Sequence, residues 1–237
     1  MNLIRNNWNV KDYNNFINNL FKISDSEYKK FHSSLGVSNV IGIRTPVLKS
    51  IAKDIYKGNY KEFLLLVGNS YYEENIIYAF IICNIKDLDE SIEYLEIYKN
   101  MIDSWASCDL FCSSYKIVKK NKEYFYKFIN DNIRSNNLWI RRLCFVLLLD
   151  YYIEEDYIDD IFILCDKYNT IDYYVQMAVA WLISVCFVKY RDKTIKYIKD
   201  NKLDNFTHNK AIQKIKESFR VSSEDKILVE KYKRKNI

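Results

Sequence analysis

The sequence predicts an all-α protein, and three observations lead to that prediction. Apolar residues recur along the chain with the three- and four-residue spacing of helices. All four glycines and the single proline lie within the first 68 residues, although strands joined by tight turns would need such residues later in the chain. Small residues also recur at regular intervals of 32 to 34 residues, at Ala79, Cys112, Cys144, Ala178 and Ala211.

This regular spacing predicts an α-solenoid, in which each helical repeat buries its apolar side against its neighbours. Tetratricopeptide and ankyrin repeats of similar length need glycines or a Thr-Pro-Leu-His motif, which the chain lacks after residue 68. We therefore expect about six HEAT-like helical repeats with a concave basic groove. They would form a single domain over residues 1–225, followed by a basic C-terminal tail at residues 226–237.

The composition is that of a soluble globular protein, with 49% hydrophobic and 28% charged residues. No stretch approaches the roughly 18 apolar residues of a membrane span, and the N-terminus lacks the apolar segment of a signal peptide. These features predict a cytoplasmic protein without a membrane partner, whose six cysteines are reduced and buried. Cys108 and Cys112 are the only close pair, so no metal site is expected.

The N-terminal third contains the recognisable helix boundaries. Residues 10–32 are predicted to form one or two helices, with capping residues at 24–27. Thr45 followed by Pro46 fits a helix N-cap with proline at the first helical position. The helix that follows would place four apolar side chains on one face and basic side chains elsewhere. The apolar four are Leu48, Ile51, Ala52 and Ile55.

One segment, residues 101–116, combines an aromatic and an acidic residue at helical spacing. Trp105 and Asp109 are four residues apart, so one helical turn places them on the same face. Arg142 and Trp181 lie close to later small-residue positions, and we expect all four side chains to line one groove. Taken singly, each also has a structural interpretation: the tryptophans as core residues, and the carboxylate and Arg142 as partners in a buried pair.

The net charge of +5 and the isoelectric point near 8.7 indicate a polyanionic partner. Basic residues accumulate towards the C-terminal half, where they form either solvated helix faces or a DNA-binding stripe. The candidates for DNA contacts are Lys116, Lys210 and Lys214, together with Arg142.

Five separated motifs resemble those of a known family. They are Gly42-Ile-Arg-Thr-Pro-Val-Leu-Lys-x-Ile-Ala-Lys53, Trp105-x-x-x-Asp109, Trp139-Ile-Arg-Arg142, Gln176-x-Ala-x-x-Trp181 and Asn209-Lys-Ala-Ile-Gln-Lys-Ile215. Together, over roughly residues 25–220, they resemble the HEAT-like-repeat DNA alkylation repair proteins, the AlkD-like DNA glycosylases. That resemblance implies an α-solenoid that holds duplex DNA and excises cationic N3- or N7-alkylated purines.

The resemblance also implies roles for individual residues. Asp109 would be the catalytic carboxylate, Trp105 and Trp181 would pack against the deoxyribose of the lesion, and Arg142 would clamp the DNA backbone. A cationic alkylpurine leaves as a neutral base, so one carboxylate suffices and no acid, metal or cofactor is expected. We expect a monomer acting on alkylated duplex DNA. The alternative is a non-catalytic HEAT-like module that binds DNA structures or a protein through the same groove.

Overall fold

The computed structural model describes residues 2–168 and 170–235, and these residues confirm the all-α prediction. Within those two ranges there are fourteen α-helices, one 3₁₀ helix and no strand. No helix in them is long and apolar enough to cross a membrane. The described chain divides after Lys120 into two compact units.

The first unit is organised around one fully buried helix. Its helices are α1 (Val10–Lys22), α2 (Ser26–Ser34), α3 (Thr45–Tyr56), α4 (Tyr60–Leu66), α5 (Tyr72–Ile82), α6 (Leu88–Tyr98) and α7 (Trp105–Ser114), followed by the 3₁₀ helix Lys116–Lys120. Every residue of α5 is buried, and α5 packs against α3 and α7. A helix that is covered on several sides needs apolar residues around most of its circumference, which α5 has.

The start of α3 differs by one residue from the sequence prediction. Arg44, not Thr45, is the N-cap residue, and Pro46 lies in the first turn. The Thr45 hydroxyl is 3.3 Å from the Tyr28 hydroxyl, so this side chain bonds to α2 and does not cap its own helix. The predicted apolar face is confirmed, because all four of its residues are buried.

Two buried carboxylates in α5 hold the loops of the first unit. Glu73 is fully buried and accepts hydrogen bonds from the backbone N–H groups of Ile41, Gly42 and Ile43, at 2.8, 2.7 and 3.0 Å. Glu74 accepts bonds from the backbone N–H groups of Ser70 and Tyr71. The three donors that bond to Glu73 are buried and would otherwise lack partners, whereas Ser70 and Tyr71 lie nearer the surface.

The second unit has a comparable arrangement around α11. Its helices are α8 (Lys122–Asn132), α9 (Leu138–Tyr151), α10 (Ile158–Lys167), α11 (Tyr173–Lys189), α12 (Arg191–Lys199), α13 (Asn205–Glu217) and α14 (Ser223–Glu230). The long helix α11 packs against α9 and α13, and most of its residues are buried. Packing between alternate helices is compatible with an α-solenoid.

The five small residues of the sequence register occupy equivalent places in alternate helices. Each lies in α5, α7, α9, α11 or α13, and each is 0–2% exposed. Small side chains at these buried points would let neighbouring helices approach closely, which remains a prediction from the spacing. The register therefore marks α5, α7, α9, α11 and α13, which are called the inner helices below.

The C-terminal segment is bonded to the second unit as far as it is described. The predicted boundary at residue 225 falls within α14, which continues to Glu230. The Arg234 guanidinium donates hydrogen bonds to the carbonyl oxygens of Leu203 and Asn201, at 2.5 and 2.8 Å. Residues 236 and 237 of the predicted tail lie outside the described residues.

His208 connects α13 to this segment, and its burial predicts that stability depends on pH. Its Nε2 donates to the Tyr232 carbonyl oxygen at 2.8 Å, and its Nδ1 lies 3.1 Å from the side-chain amide nitrogen of Asn201. Burial lowers the pKa of His208 below its ordinary value of 6.5, and burial also lowers the pKa of His32. The unfolded chain therefore binds more protons as the pH falls through this range.

We expect the free energy of unfolding to be highest above the unfolded histidine pKa of 6.5 and to fall as the pH drops towards about 5. Urea denaturation at a series of pH values measures this decline. His208→Gln should show a smaller decline than the unchanged protein, with His32 supplying the remainder. Identical declines in both proteins would contradict the role assigned to His208.

Candidate functional site

Helix α7 presents Trp105 and Asp109 on its accessible side. Ser104 caps the helix by accepting a hydrogen bond from the Ser107 N–H group at 3.2 Å, so the helix begins at Trp105. Trp105 and Asp109 are half-buried, whereas the other side of the helix is buried in the core. The buried residues are Ala106, Ser107, Cys108, Phe111 and Cys112. Asp109 as a residue thus lies at the edge of the core and is not sealed within it.

The indole of Trp105 is anchored at its nitrogen. Its Nε1–H donates to the carbonyl oxygen of Leu35 at 3.2 Å, and Leu35 is the residue after the last turn of α2. The loop that follows Leu35 leads to residues 41–43, which Glu73 holds. This contact between distant parts of the first unit restricts the orientation of the ring beside Asp109.

In the second unit, Trp181 lines a small polar pocket. The pocket has a volume of about 240 Å³, and α11 contributes Trp181, Ser184 and two valines to it. The remaining walls come from α13 and the turn after it, namely Lys214, Glu217, Ser218 and Arg220. The structure therefore brings together two of the predicted residues, Trp181 and Lys214. It adds Arg220, which was not predicted from the sequence as a site residue.

The charges around this pocket favour an anionic ligand. Neither Lys214 nor Arg220 has a carboxylate within ion-pair distance among residues 2–168 and 170–235. Glu217, the acidic residue in the lining, accepts a hydrogen bond from the Gln213 amide at 2.7 Å. Two cations and a serine hydroxyl on one wall can bind a phosphate-sized anion.

Arg142 is buried and makes a contact between helices. It is 5% exposed, and its Nη1 donates to the carbonyl oxygen of Tyr174 in the first turn of α11 at 2.5 Å. Gln176 and Asn209 occupy the corresponding positions of α11 and α13, 34 and then 33 residues later. Gln176 bonds to the Asp204 carboxylate, and Asn209 donates to the Arg234 carbonyl oxygen at 2.9 Å. In these three helices of the second unit, the position two residues before the small residue thus carries a polar link to the following segment.

The two remaining predicted lysines lie on the surface of different units. Lys116 is exposed at the start of the 3₁₀ helix in the first unit. Lys210 in α13 lies 5.8 Å from the ring centroid of Phe206, and its Nζ donates to Gln213 at 3.0 Å.

A second register, of aromatic residues, was missed at the sequence level. Aromatic side chains occupy the first turn of each inner helix at intervals of 33 or 34 residues, at Tyr72, Trp105, Trp139, Tyr173 and Phe206. In the second unit these rings form a connected series, because Trp139 contacts Tyr174, Tyr174 contacts Tyr173, and Tyr173 contacts Phe206. The spacing of the small residues would have revealed this register if it had been applied to aromatic residues.

Comparison with known proteins identifies the family. No curated protein sequence matches the chain significantly. A family model described as DNA alkylation repair enzyme matches residues 18–215, which is most of the chain and includes Trp105, Asp109, Arg142 and Trp181. The match confirms the resemblance drawn from the five motifs and supports a role in alkylation repair and in DNA binding. The chain belongs to the family of DNA alkylation repair enzymes.

Proposed function

We propose that the protein is a DNA glycosylase that hydrolyses the N-glycosidic bond of cationic N3- or N7-alkylated purines in duplex DNA, in base excision repair of alkylation damage. The observation that carries this proposal is that Trp105 and Asp109 lie one helical turn apart in α7 and are both half-buried, not sealed in the core. A carboxylate on a protein surface that only bound DNA would weaken binding by repelling phosphates. Its presence beside an anchored indole favours a catalytic role.

The chemistry requires little more than one carboxylate. Alkylation at N3 or N7 gives the purine a positive charge, so the base leaves as a neutral molecule without protonation by an acid. Positive charge then develops on the deoxyribose, as in other glycoside hydrolysis reactions with oxocarbenium-like transition states. The Asp109 carboxylate would stabilise that charge or orient the attacking water.

The other proposed residues support this step in different ways. The indoles of Trp105 and Trp181 would attract the charged sugar by cation–π interaction, worth roughly 0.5–2 kcal/mol each. Lys116, Lys210 and Lys214 would contact phosphates. Because Arg142 is buried, we propose that it serves DNA binding indirectly, by holding the first turn of α11.

The test is release of 3-methyladenine and 7-methylguanine from alkylated duplex DNA by the full chain. We expect both bases to be released, and no release of O6-alkylguanine, which is neutral and would require an acid. Liquid chromatography of the released bases measures both outcomes.

Two results would contradict the proposal and select its alternative. Salt-dependent DNA binding without base release would indicate a non-catalytic DNA-binding module. Absence of both DNA binding and base release would indicate a module with a protein partner.

A further inference from the structure

Among the described residues of the second unit, Phe219 is the most exposed large apolar side chain. Its exposed fraction is 103%, and it lies in the turn between α13 and α14. Aromatic side chains usually bury most of their surface, so a phenylalanine with this exposure requires an explanation.

The turn that carries Phe219 is well anchored on both sides. The Val221 N–H group donates to the Ser218 carbonyl oxygen at 3.4 Å, and the Arg220 N–H group donates to the Ser218 hydroxyl at 3.3 Å. Val221 is buried in an apolar cluster with Ile212, Ile215 and Val229. The fold therefore holds the ring of Phe219 outwards on a short, fixed turn.

Basic side chains surround this turn. Ser218 and Arg220, the chain neighbours of Phe219, both line the pocket of Trp181. A second pocket of about 400 Å³ lies between α13 and α14 and is lined by Lys216, Lys226 and Lys231, together with Ile227 and Glu230.

Basic side chains outnumber acidic ones around this turn and in the segment that follows it. Residues 214–235 contain eight basic and four acidic side chains. Lys216 pairs with Glu230, but Lys226 and Lys231, like Arg220, have no carboxylate within ion-pair distance in the described part of the chain. A ligand for this surface must combine dense negative charge with an apolar interior that can accept a ring.

We propose that Phe219 is an apolar wedge that inserts between stacked base pairs of duplex DNA bound to the second unit. Duplex DNA has the required combination, because phosphates lie outside and stacked bases lie inside. Phenylalanine is among the side chains that proteins insert between base steps, unstacking them and kinking the duplex. The cations on either side would bind the flanking phosphates.

This proposal rests on the proposed function only for the identity of the partner, DNA. It adds a separate step, the unstacking of base pairs. Unstacking near the Trp181 pocket would widen the spacing of the bases on the strand that the unit contacts. An anionic membrane surface is a less suitable partner, since one exposed ring gives little anchoring and stable attachment usually takes stronger apolar insertion.

The test compares the full-length protein with Phe219→Ala, using alkylated duplexes that carry 2-aminopurine at single steps around the lesion. Because the Phe219 side chain is fully exposed in the described part of the chain, the substitution should not alter folding. We expect the unchanged protein to raise 2-aminopurine fluorescence at one step and Phe219→Ala to abolish that rise. Affinity for the duplex should fall roughly tenfold, within the range of base–aromatic stacking energies.

Matched variants separate insertion from general loss of apolar surface. Leu65→Ala in the first unit removes an apolar side chain of comparable exposure, 86%, and should change neither signal. Phe219→Trp should retain the fluorescence rise, because an indole can also enter a base step.

The outcomes distinguish this proposal from the proposed function. Base release by the unchanged protein, with equal fluorescence and affinity for Phe219→Ala, would overturn the wedge and leave the glycosylase intact. Unstacking that depends on Phe219, without base release, would support the wedge and overturn the glycosylase. Loss of binding to phosphatidylserine vesicles in Phe219→Ala, with DNA behaviour unchanged, would overturn the wedge in favour of a membrane contact.

Discussion

Replacement of Asp109 by asparagine is expected to slow release of 7-methylguanine by about 100-fold or more. The amide keeps the shape of the side chain but removes the negative charge that would stabilise the developing charge on the sugar. Because Asp109 lies on the accessible side of α7, the substitution should leave the buried side of the helix in place. Single-turnover base release at saturating enzyme measures the chemical step without a contribution from binding.

The same substitution should leave DNA binding unchanged or slightly tighter, because a negative charge near the phosphates is removed. A slower base release without a loss of DNA affinity indicates a catalytic role. A merely structural role would lower both the rate and the affinity. Asp89→Asn is a suitable control, since Asp89 is an exposed carboxylate in the first turn of α6. Equal rates for the Asp109 variant and the unchanged protein would remove Asp109 from the mechanism.

Local sequence patterns predicted the helices well because the signals lie within a few residues. The apolar spacing of α3 identified all four of its buried residues, and the small-residue register identified alternate helices. Thr45 was predicted to be the N-cap because it directly precedes Pro46, but its hydroxyl forms a hydrogen bond with the Tyr28 hydroxyl of α2. Such a partner is brought near by packing, so local spacing does not reveal it.

The candidate site was predictable only in part for the same reason. The spacing of Trp105 and Asp109 placed them on one side of a helix, and the structure agrees. The sequence did not indicate that the Trp105 indole would bond to Leu35, which is 70 residues earlier. Nor did it indicate that Arg142 would be buried against Tyr174, because a single basic residue in an apolar helix fits both a buried link and a ligand contact.

Glu73 is the residue whose loss should destabilise the fold most among the polar residues discussed. Its Oε1 accepts hydrogen bonds from Gly42 and Ile43, and its Oε2 accepts one from Ile41. Glu73→Ala would leave three buried donors without partners, each costing about 1–3 kcal/mol. We therefore expect the free energy of unfolding to fall by about 4 kcal/mol or more.

Glu73→Gln provides a graded comparison because its single amide oxygen can replace one carboxylate oxygen. An oxygen in the place of Oε1 would keep the bonds from Gly42 and Ile43, while the amide NH₂ would face the Ile41 N–H group. The free energy of unfolding should therefore fall by about 1.5–3 kcal/mol, which is less than the fall expected for Glu73→Ala. Urea denaturation gives the order, with the exposed Glu93→Ala as a control expected to lie within about 0.5 kcal/mol of the unchanged protein. Equal stabilities of Glu73→Ala and Glu93→Ala would show that the loop at 41–43 does not depend on this carboxylate.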